Sequence, residues 1–159
     1  MKIALGGDHA GFSYKQKIIE YLDSNGATTV DLGPENETSC DYPDFSHLVA
    51  KSVQKKEVDF GILVCGSANG VAMAANKHKN IRAAICWTSE IASLAKTHNN
   101  ANIICFPARF VSLESVLKMI DVYMKKSFEG GRDLNRVNKI DILDSNGKKK
   151  ISKIRKPNS

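Results

Sequence analysis

Cys65 stands where an apolar segment meets a glycine-rich turn. The segment FGILVC, residues 60–65, is followed by Gly-Ser-Ala-Asn-Gly. A thiol close to the N-terminus of a helix can have its pKa lowered, which makes a thiolate available as a base or a nucleophile. A buried, inert cysteine is the alternative, and it fits Cys86 and Cys105 better because no such turn follows either of them. Cys65 is therefore the candidate reactive thiol.

The turn after Cys65 is typical of an anion site. Small residues that open a helix leave backbone N–H groups free to converge on a phosphate or an oxyanion; here they are Gly66, Ser67, Ala68, Asn69 and Gly70. The same residues also fit a tight strand-to-helix turn in which glycine only allows close packing. Neither CGSANG nor the earlier GGDHAGFS completes a GxGxxG or P-loop motif. A nucleotide-binding module without catalysis stays open as an alternative to an enzyme.

Two histidines extend the candidate site. Asp8 and His9 follow the first apolar segment, where they can bond to sugar hydroxyls or cap the next helix. His98 ends a helical stretch and precedes Asn99. It can pass protons to and from a sugar oxygen, or it can simply complement the helix dipole.

Three arginines are candidate phosphate ligands. Arg132 and Arg136 are four residues apart and so share one helix face, a spacing at which two guanidinium groups can hold one phosphate. Arg109 follows another apolar segment and can add a third contact. A solvated helix face is the alternative for the first pair.

The elements that position these residues alternate along the chain. Longer stretches with helical spacing of apolar residues separate five short apolar segments, KIALGG, TTVDLG, FGILVCG, RAAICW and NIICFP. Strands this apolar are buried on both faces, so the pattern predicts a Rossmann-like three-layer α/β/α sandwich with a five-stranded parallel sheet. Ligands bind at the carboxyl ends of such strands. We expect one domain over residues 1–147, with a final dimerisation helix at about 132–147.

Charge and composition narrow the function classes. The net charge of +6 is concentrated in residues 145–159, which contain six basic and no acidic side chains. We interpret 148–159 as a flexible basic tail and expect no nucleic-acid partner, because no aromatic residues interleave the charges. An apolar run of about 18 residues, as a membrane span needs, does not occur. We expect a cytoplasmic protein with four free cysteines and no metal site.

Six short motifs occur in an order that resembles the sugar-phosphate isomerases of the ribose-5-phosphate isomerase B family, over residues 1 to about 145. They are Asp8-His9, Tyr42-Pro43, Cys65-Gly66-Ser67, Ala75-Asn76-Lys77, His98-Asn99 and GGRDLNR. The resemblance implies interconversion of ribose 5-phosphate and ribulose 5-phosphate without a metal or an organic cofactor. A hexose 6-phosphate, of allose or galactose, is the alternative substrate in the same family.

The resemblance also assigns roles. It implies that Cys65 is the base, that residues 66–70 hold the enediolate oxygen and that His98 opens the furanose ring. It implies sugar contacts from Asp8, His9 and Asn99, a phosphate clamp from Arg109, Arg132 and Arg136, and a homodimer, possibly paired into a tetramer, with shared active sites. Two positions depart from the family pattern: Val71 stands where some members have a glutamate base, and Ala68 where many have glycine.

Overall fold

The protein is seen in a computed structural model that describes residues 1–141. Along that part of the chain strands and helices alternate up to a last short helix. The strands are β1 (Lys2–Gly7), β2 (Thr28–Asp31), β3 (Phe60–Cys65), β4 (Ala83–Ile85) and β5 (Ile103–Pro107). The helices are α1 (Phe12–Ser24), α2 (Tyr42–Gln54), α3 (Asn69–Ala75), α4 (Ser89–Thr97), α5 (Leu113–Met124) and α6 (Arg132–Val137).

The strands of residues 1–141 form one sheet in the order β2-β1-β3-β5-β4, with every neighbouring pair parallel. This confirms the predicted Rossmann-like parallel sheet. From β1 the chain crosses to β2 on one side, whereas the strands after β3 lie on the other. The sheet therefore has its topological switch point between β1 and β3, where ligands bind in open α/β sheets.

Two apolar layers cover the sheet, as the sandwich prediction requires. On one face Ile3, Leu5 and Val64 pack with side chains of α1, α4 and α5. On the other face Leu63 and Cys105 pack with side chains of α2 and α3. Successive strand residues alternate between these layers, so both faces of β1 and β3 are buried and the central strands are held rigidly. The loops at their carboxyl ends start from fixed points.

A buried lysine anchors the loop after β2. Lys15 on α1 is fully buried, and its Nζ bonds to the Asp31 carboxylate at 2.5 Å and to the Pro34 carbonyl at 2.7 Å. The same loop leads to Cys40, whose N–H donates to His9 Nδ1 at 3.4 Å. Lys15 thus fixes a segment that reaches the candidate site.

The last helix is shorter than predicted. The expected helix over about 132–147 begins at Arg132 but ends at Val137, so the prediction was wrong for residues 138–141. Asn138 and its neighbours turn instead, and Asp141 Oδ2 accepts a bond from Asn80 N at 3.1 Å, which draws the chain back to the body of the domain. Residues 142–147 and the predicted tail at 148–159 lie outside the described residues. Within residues 1–141 no helix is long and apolar enough to cross a membrane.

Candidate active site

The switch point brings Cys65 and Asp8 together. Cys65 is the last residue of β3, and Asp8 directly follows β1, its parallel neighbour. The Asp8 N–H donates to the Val64 carbonyl at 3.3 Å, and its Oδ1 accepts a bond from Gly11 N at 3.0 Å. A Cβ on Gly11 would lie 2.0 Å from the Val64 carbonyl oxygen, so glycine is required for this close approach. The loops after β1 and β3 therefore lie side by side at the carboxyl ends of these strands.

The Cys65 thiol is buried and surrounded by backbone amides. Its Sγ accepts a hydrogen bond from Ala68 N at 3.2 Å. Burial raises the pKa of the thiol above its ordinary value, and the negative charge of Asp8 raises it further. Hydrogen bonds from the amides of Ala68, Val71 and Ser67 lower the pKa, but they do not outweigh burial. The expectation of a lowered pKa was therefore wrong in direction.

Ala68 adopts a left-handed backbone conformation, which is common for glycine and rare for alanine. Its φ is +64° and its ψ is −7°, at the N-cap of α3. A residue with a Cβ is strained there, yet this conformation aims the Ala68 N–H at the sulfur. The next amide, of Asn69, faces the Ser67 hydroxyl oxygen at 3.4 Å.

Arg109 and His9 lie in the loops that follow β5 and β1. Arg109 N donates to the Gly66 carbonyl at 3.2 Å, and its guanidinium lies so close to Gly66 that an added Cβ would be 3.2 Å from Nη1. His9 accepts the Cys40 N–H at Nδ1, so its neutral ring carries the proton on Nε2. A guanidinium thus lies against the residue that follows Cys65, and the loop after β1 carries an imidazole N–H donor.

Tyr42 is a neighbour to which sequence reasoning gave no role. The Tyr42 ring lies against Gly70, where an added Cβ would be 2.3 Å from the ring carbon Cζ. Its occurrence in the Tyr42-Pro43 motif was the only signal in the sequence. The ring, at the start of α2, therefore packs against the turn that follows Cys65.

A second cluster contains the other predicted residues. His98 is the C-cap of α4, and with Asn99, Asp133 and Arg136 it lines a groove of about 400 Å³. His98 Nε2 lies 3.8 Å from Glu129 Oε2, and Arg136 Nη1 donates to Asp133 Oδ1 at 2.7 Å. Arg132 is exposed at the first position of α6, the helix that also carries Asp133 and Arg136.

Within one chain, Cys65 and His98 lie toward opposite ends of the parallel strands. Cys65 pairs with Pro107 at the carboxyl ends of β3 and β5. Helix α4 runs back toward the amino ends of the strands, where the Asn100 carbonyl accepts a hydrogen bond from Arg82 Nε. The strand β5 between these ends spans about 13 Å at roughly 3.3 Å per residue. One chain therefore holds Asp8, His9, Arg109 and residues 65–70 at the carboxyl ends of the strands, and His98 and Asn99 near the amino ends. Arg136 shares a groove with His98 and Asn99, and Arg132 lies on the same helix as Arg136.

Residues 1–141 contain no group of three or more His, Cys, Asp or Glu side chains arranged to hold a metal ion. All four cysteines are free thiols. What the described site offers is a thiol, converging amides, a carboxylate and an arginine. These groups suit proton transfer on a small anionic substrate.

Comparison with known proteins agrees with this chemistry. A family model described as Ribose/Galactose Isomerase matches residues 3–140. A probable ribose-5-phosphate isomerase B of Mycoplasma genitalium is 44% identical over 140 residues, covering 87% of this chain and 92% of the relative. The ribose-5-phosphate isomerase B of Escherichia coli is 38% identical over 143 residues, covering 90% and 96%.

Solved structures are similar as well. A ribose 5-phosphate isomerase from Thermotoga maritima superposes with a TM-score of 0.87 at 43% identity, covering 88% of this chain and 97% of that one. The Mycoplasma genitalium enzyme with bound ribulose-5-phosphate gives a TM-score of 0.84 at 43% identity, covering 87% and 93%. The chain belongs to the ribose/galactose isomerase family. The resemblance inferred from the six motifs is confirmed.

Proposed function

We propose that this protein is an aldose–ketose isomerase that interconverts D-ribose 5-phosphate and D-ribulose 5-phosphate through an enediolate. The observation that carries the proposal is the Cys65 thiol at the switch point, with backbone amides and Arg109 around it. Its family membership supports the substrate class, since a solved relative that is 43% identical holds ribulose-5-phosphate.

Cys65 is the base in this proposal. As thiolate it takes the proton from C2 of the open-chain aldose and returns it to C1, while the hydroxyl proton moves from O2 to O1, so no net proton is gained or lost. The amides of Ala68, Val71 and Ser67 favour the thiolate, against the effect of burial. A positioned base contributes roughly 10² to 10⁴ in rate.

The amides of the turn stabilise the charge that develops. Removing a proton from a carbon next to a carbonyl places negative charge on oxygen, and preorganised N–H donors stabilise that charge. In this proposal residues 66–70 supply those donors, while Asp8 and His9 contact the sugar hydroxyls. His98 and Asn99 act on the ring oxygen and the sugar, and Arg132 and Arg136 bind the phosphate together with Arg109.

We also propose that two copies share each active site. His98 and Cys65 lie about 13 Å or more apart along the strand direction of one chain, which is too far for both to act on one pentose. A second copy can supply its His98 cluster to the Cys65 cluster of the first. Large exposed apolar side chains are available for such an interface, namely Met73, Trp87, Leu134 and Ile140.

Mixing two inactive variants tests the shared site. Cys65→Ala and His98→Ala homodimers each lack one essential group in both sites. After unfolding and joint refolding, random pairing gives mixed dimers in which one site has both groups, so about a quarter of wild-type activity returns. Activity that stays at the level of the separate variants contradicts a shared site. The mass from light scattering distinguishes a dimer from a tetramer.

The substrate is tested by a direct assay. Purified protein is given ribose 5-phosphate with EDTA present, and ribulose 5-phosphate is measured by NMR. Allose 6-phosphate and galactose 6-phosphate are assayed in parallel. We expect the highest kcat/KM with the pentose; a higher value with a hexose 6-phosphate would move the protein to the other substrate class of the family.

A cytoplasmic site of action belongs to the same proposal. Four free thiols suit a reducing compartment. The absence of a metal, an organic cofactor and a nucleic-acid partner likewise remains a prediction, and activity in EDTA tests the first of these.

A further inference from the structure

Asp133 is a buried acid to which the proposed mechanism gives no role. Its side chain is 8% exposed, whereas that of Arg136, one turn along α6, is 67% exposed. The two are joined by the bond from Arg136 Nη1 to Asp133 Oδ1 at 2.7 Å. A rigid, buried acceptor therefore holds one end of an otherwise exposed side chain.

The chain fixes Asp133 from its backbone as well. Asp133 N donates to the Gly130 carbonyl at 3.1 Å, in the turn that begins α6. The acceptor is thus set by the fold of residues 130–133, and the position of the guanidinium follows from it. A free arginine loses much rotamer freedom when it binds an anion, and a guanidinium already held loses less.

The Asp133–Arg136 pair lies where a restrained guanidinium could bind an anion. Asp133 and Arg136 line the same groove as His98 and Asn99. The bond engages Nη1, while a guanidinium carries further donors on Nε and Nη2 that can reach a phosphate. Direct contact of Asp133 with the phosphate would be repulsive, so Asp133 acts through Arg136.

We propose that Asp133 is a positioning residue that holds Arg136 in the orientation that binds the substrate phosphate. This inference rests on the proposed function, which makes Arg136 a phosphate ligand. It predicts that the hydrogen-bond acceptor at position 133 matters and its negative charge does not. An acid that only stabilises the first turn of α6 would show the opposite dependence, because that effect comes from charge.

The test compares Asp133→Ala with Asp133→Asn. We expect Asp133→Ala to raise KM for ribose 5-phosphate and the dissociation constant of inorganic phosphate about tenfold each, with kcat changed less than about threefold. Asp133→Asn keeps the acceptor and should restore both constants to within about threefold of wild type, or tighter. Glu114→Ala is the control, since Glu114 is also a first-turn acid, paired with Lys118 at 3.0 Å in α5.

A double-variant cycle separates positioning from a general loss of structure. In an Arg136→Ala background, Asp133→Ala should have no further effect on phosphate binding, because its action requires Arg136. An Asp133→Ala protein that binds phosphate as wild type does, or that weakens binding equally without Arg136, overturns the inference. If Asp133→Ala does not fold, Asp133→Ser replaces it, since a serine hydroxyl is too short to reach Nη1.

Calorimetry of inorganic phosphate keeps this test independent of catalysis. If the wild type does not isomerise ribose 5-phosphate, the proposed function fails, but the phosphate affinities still decide whether Asp133 positions Arg136. If the wild type is active and the phosphate affinities of wild type and Asp133→Ala agree, only the inference about Asp133 fails.

Discussion

The N–H of Ala68 donates to the sulfur of Cys65 at 3.2 Å, and it does so from a backbone with φ of +64°. The residue that helps the thiol to ionise is thus itself held in a conformation that disfavours a Cβ. The amides of Ser67 and Val71 act on the same thiol, whereas that of Asn69 faces the Ser67 hydroxyl oxygen. Strain at this turn and the chemistry of the thiol are therefore linked.

Replacing Ala68 by glycine should relieve this strain. The left-handed conformation costs an alanine roughly 1–2 kcal/mol. Glycine removes this strain, but part of the gain in stability is lost because glycine increases the conformational entropy of the unfolded chain. We expect the free energy of unfolding of Ala68→Gly to match wild type or exceed it by up to about 1 kcal/mol, as measured in urea. Ala72→Gly, inside α3, is the matched control and should lose about 1 kcal/mol. Equal losses in the two variants would contradict the strain.

Removing the charge of Asp8 should make Cys65 more acidic. Burial is the main cause of the raised thiol pKa, and the negative charge of Asp8 adds to it. In Asp8→Asn the second contribution disappears, so the thiolate forms at lower pH. The rate of Cys65 alkylation by iodoacetamide should then rise at lower pH than in the parent, both carrying Cys40→Ser to remove the half-buried thiol.

Asp23→Asn controls for the loss of an acid, because Asp23 is exposed near the end of α1. Its alkylation profile should coincide with that of the parent. An Asp8→Asn profile that is unchanged, or displaced to higher pH, would show that Asp8 does not act on the thiol through its charge.

A pair of histidines should make stability depend on pH. His47 Nδ1 lies 2.8 Å from His78 Nε2, and burial, together with the charges of His47 and Lys51, lowers the pKa of His78. The unfolded chain therefore takes up a proton more readily below about pH 6.5. The free energy of unfolding should decrease as the pH falls through that value toward the lower pKa of the folded state.

The variant His78→Gln removes this contribution. Between about pH 7 and pH 5 its free energy of unfolding should fall less steeply than that of wild type. Lys79→Gln, a substitution at an exposed neighbouring residue, should retain the wild-type slope. A His78→Gln slope as steep as that of wild type would place the proton uptake elsewhere.

The fold followed from local pattern to a large extent. The apolar segments of β1 and β3 became central strands because both of their faces are buried, and the parallel arrangement then placed the loop of Asp8 beside that of Cys65. The order of β5 and β4 did not follow, since their pairing depends on contacts between residues distant in sequence. The end of α6 was also missed, because Asp141 bonds to Asn80, sixty-one positions earlier.

The features of the site that the sequence did not predict also depend on contacts between residues distant in sequence. Lys15 is buried although it looks like a surface lysine, because its partners Asp31 and Pro34 come from another loop. The contact of Tyr42 with Gly70 joins α2 to α3. The direction of the Cys65 pKa depends on a balance between burial and amide donors, which only the folded geometry fixes.

The central claim is that Cys65 moves the proton between C1 and C2 of the pentose. NMR of ribulose 5-phosphate in D₂O, with EDTA present, measures both deuterium entry at C1 and conversion to ribose 5-phosphate. Cys105→Ala is the control, a buried thiol on the same face of the sheet. We predict both rates in Cys65→Ala to fall by roughly 10² or more while Cys105→Ala stays active. If Cys65→Ala exchanges deuterium and converts the sugar at the wild-type rates, the result contradicts this claim.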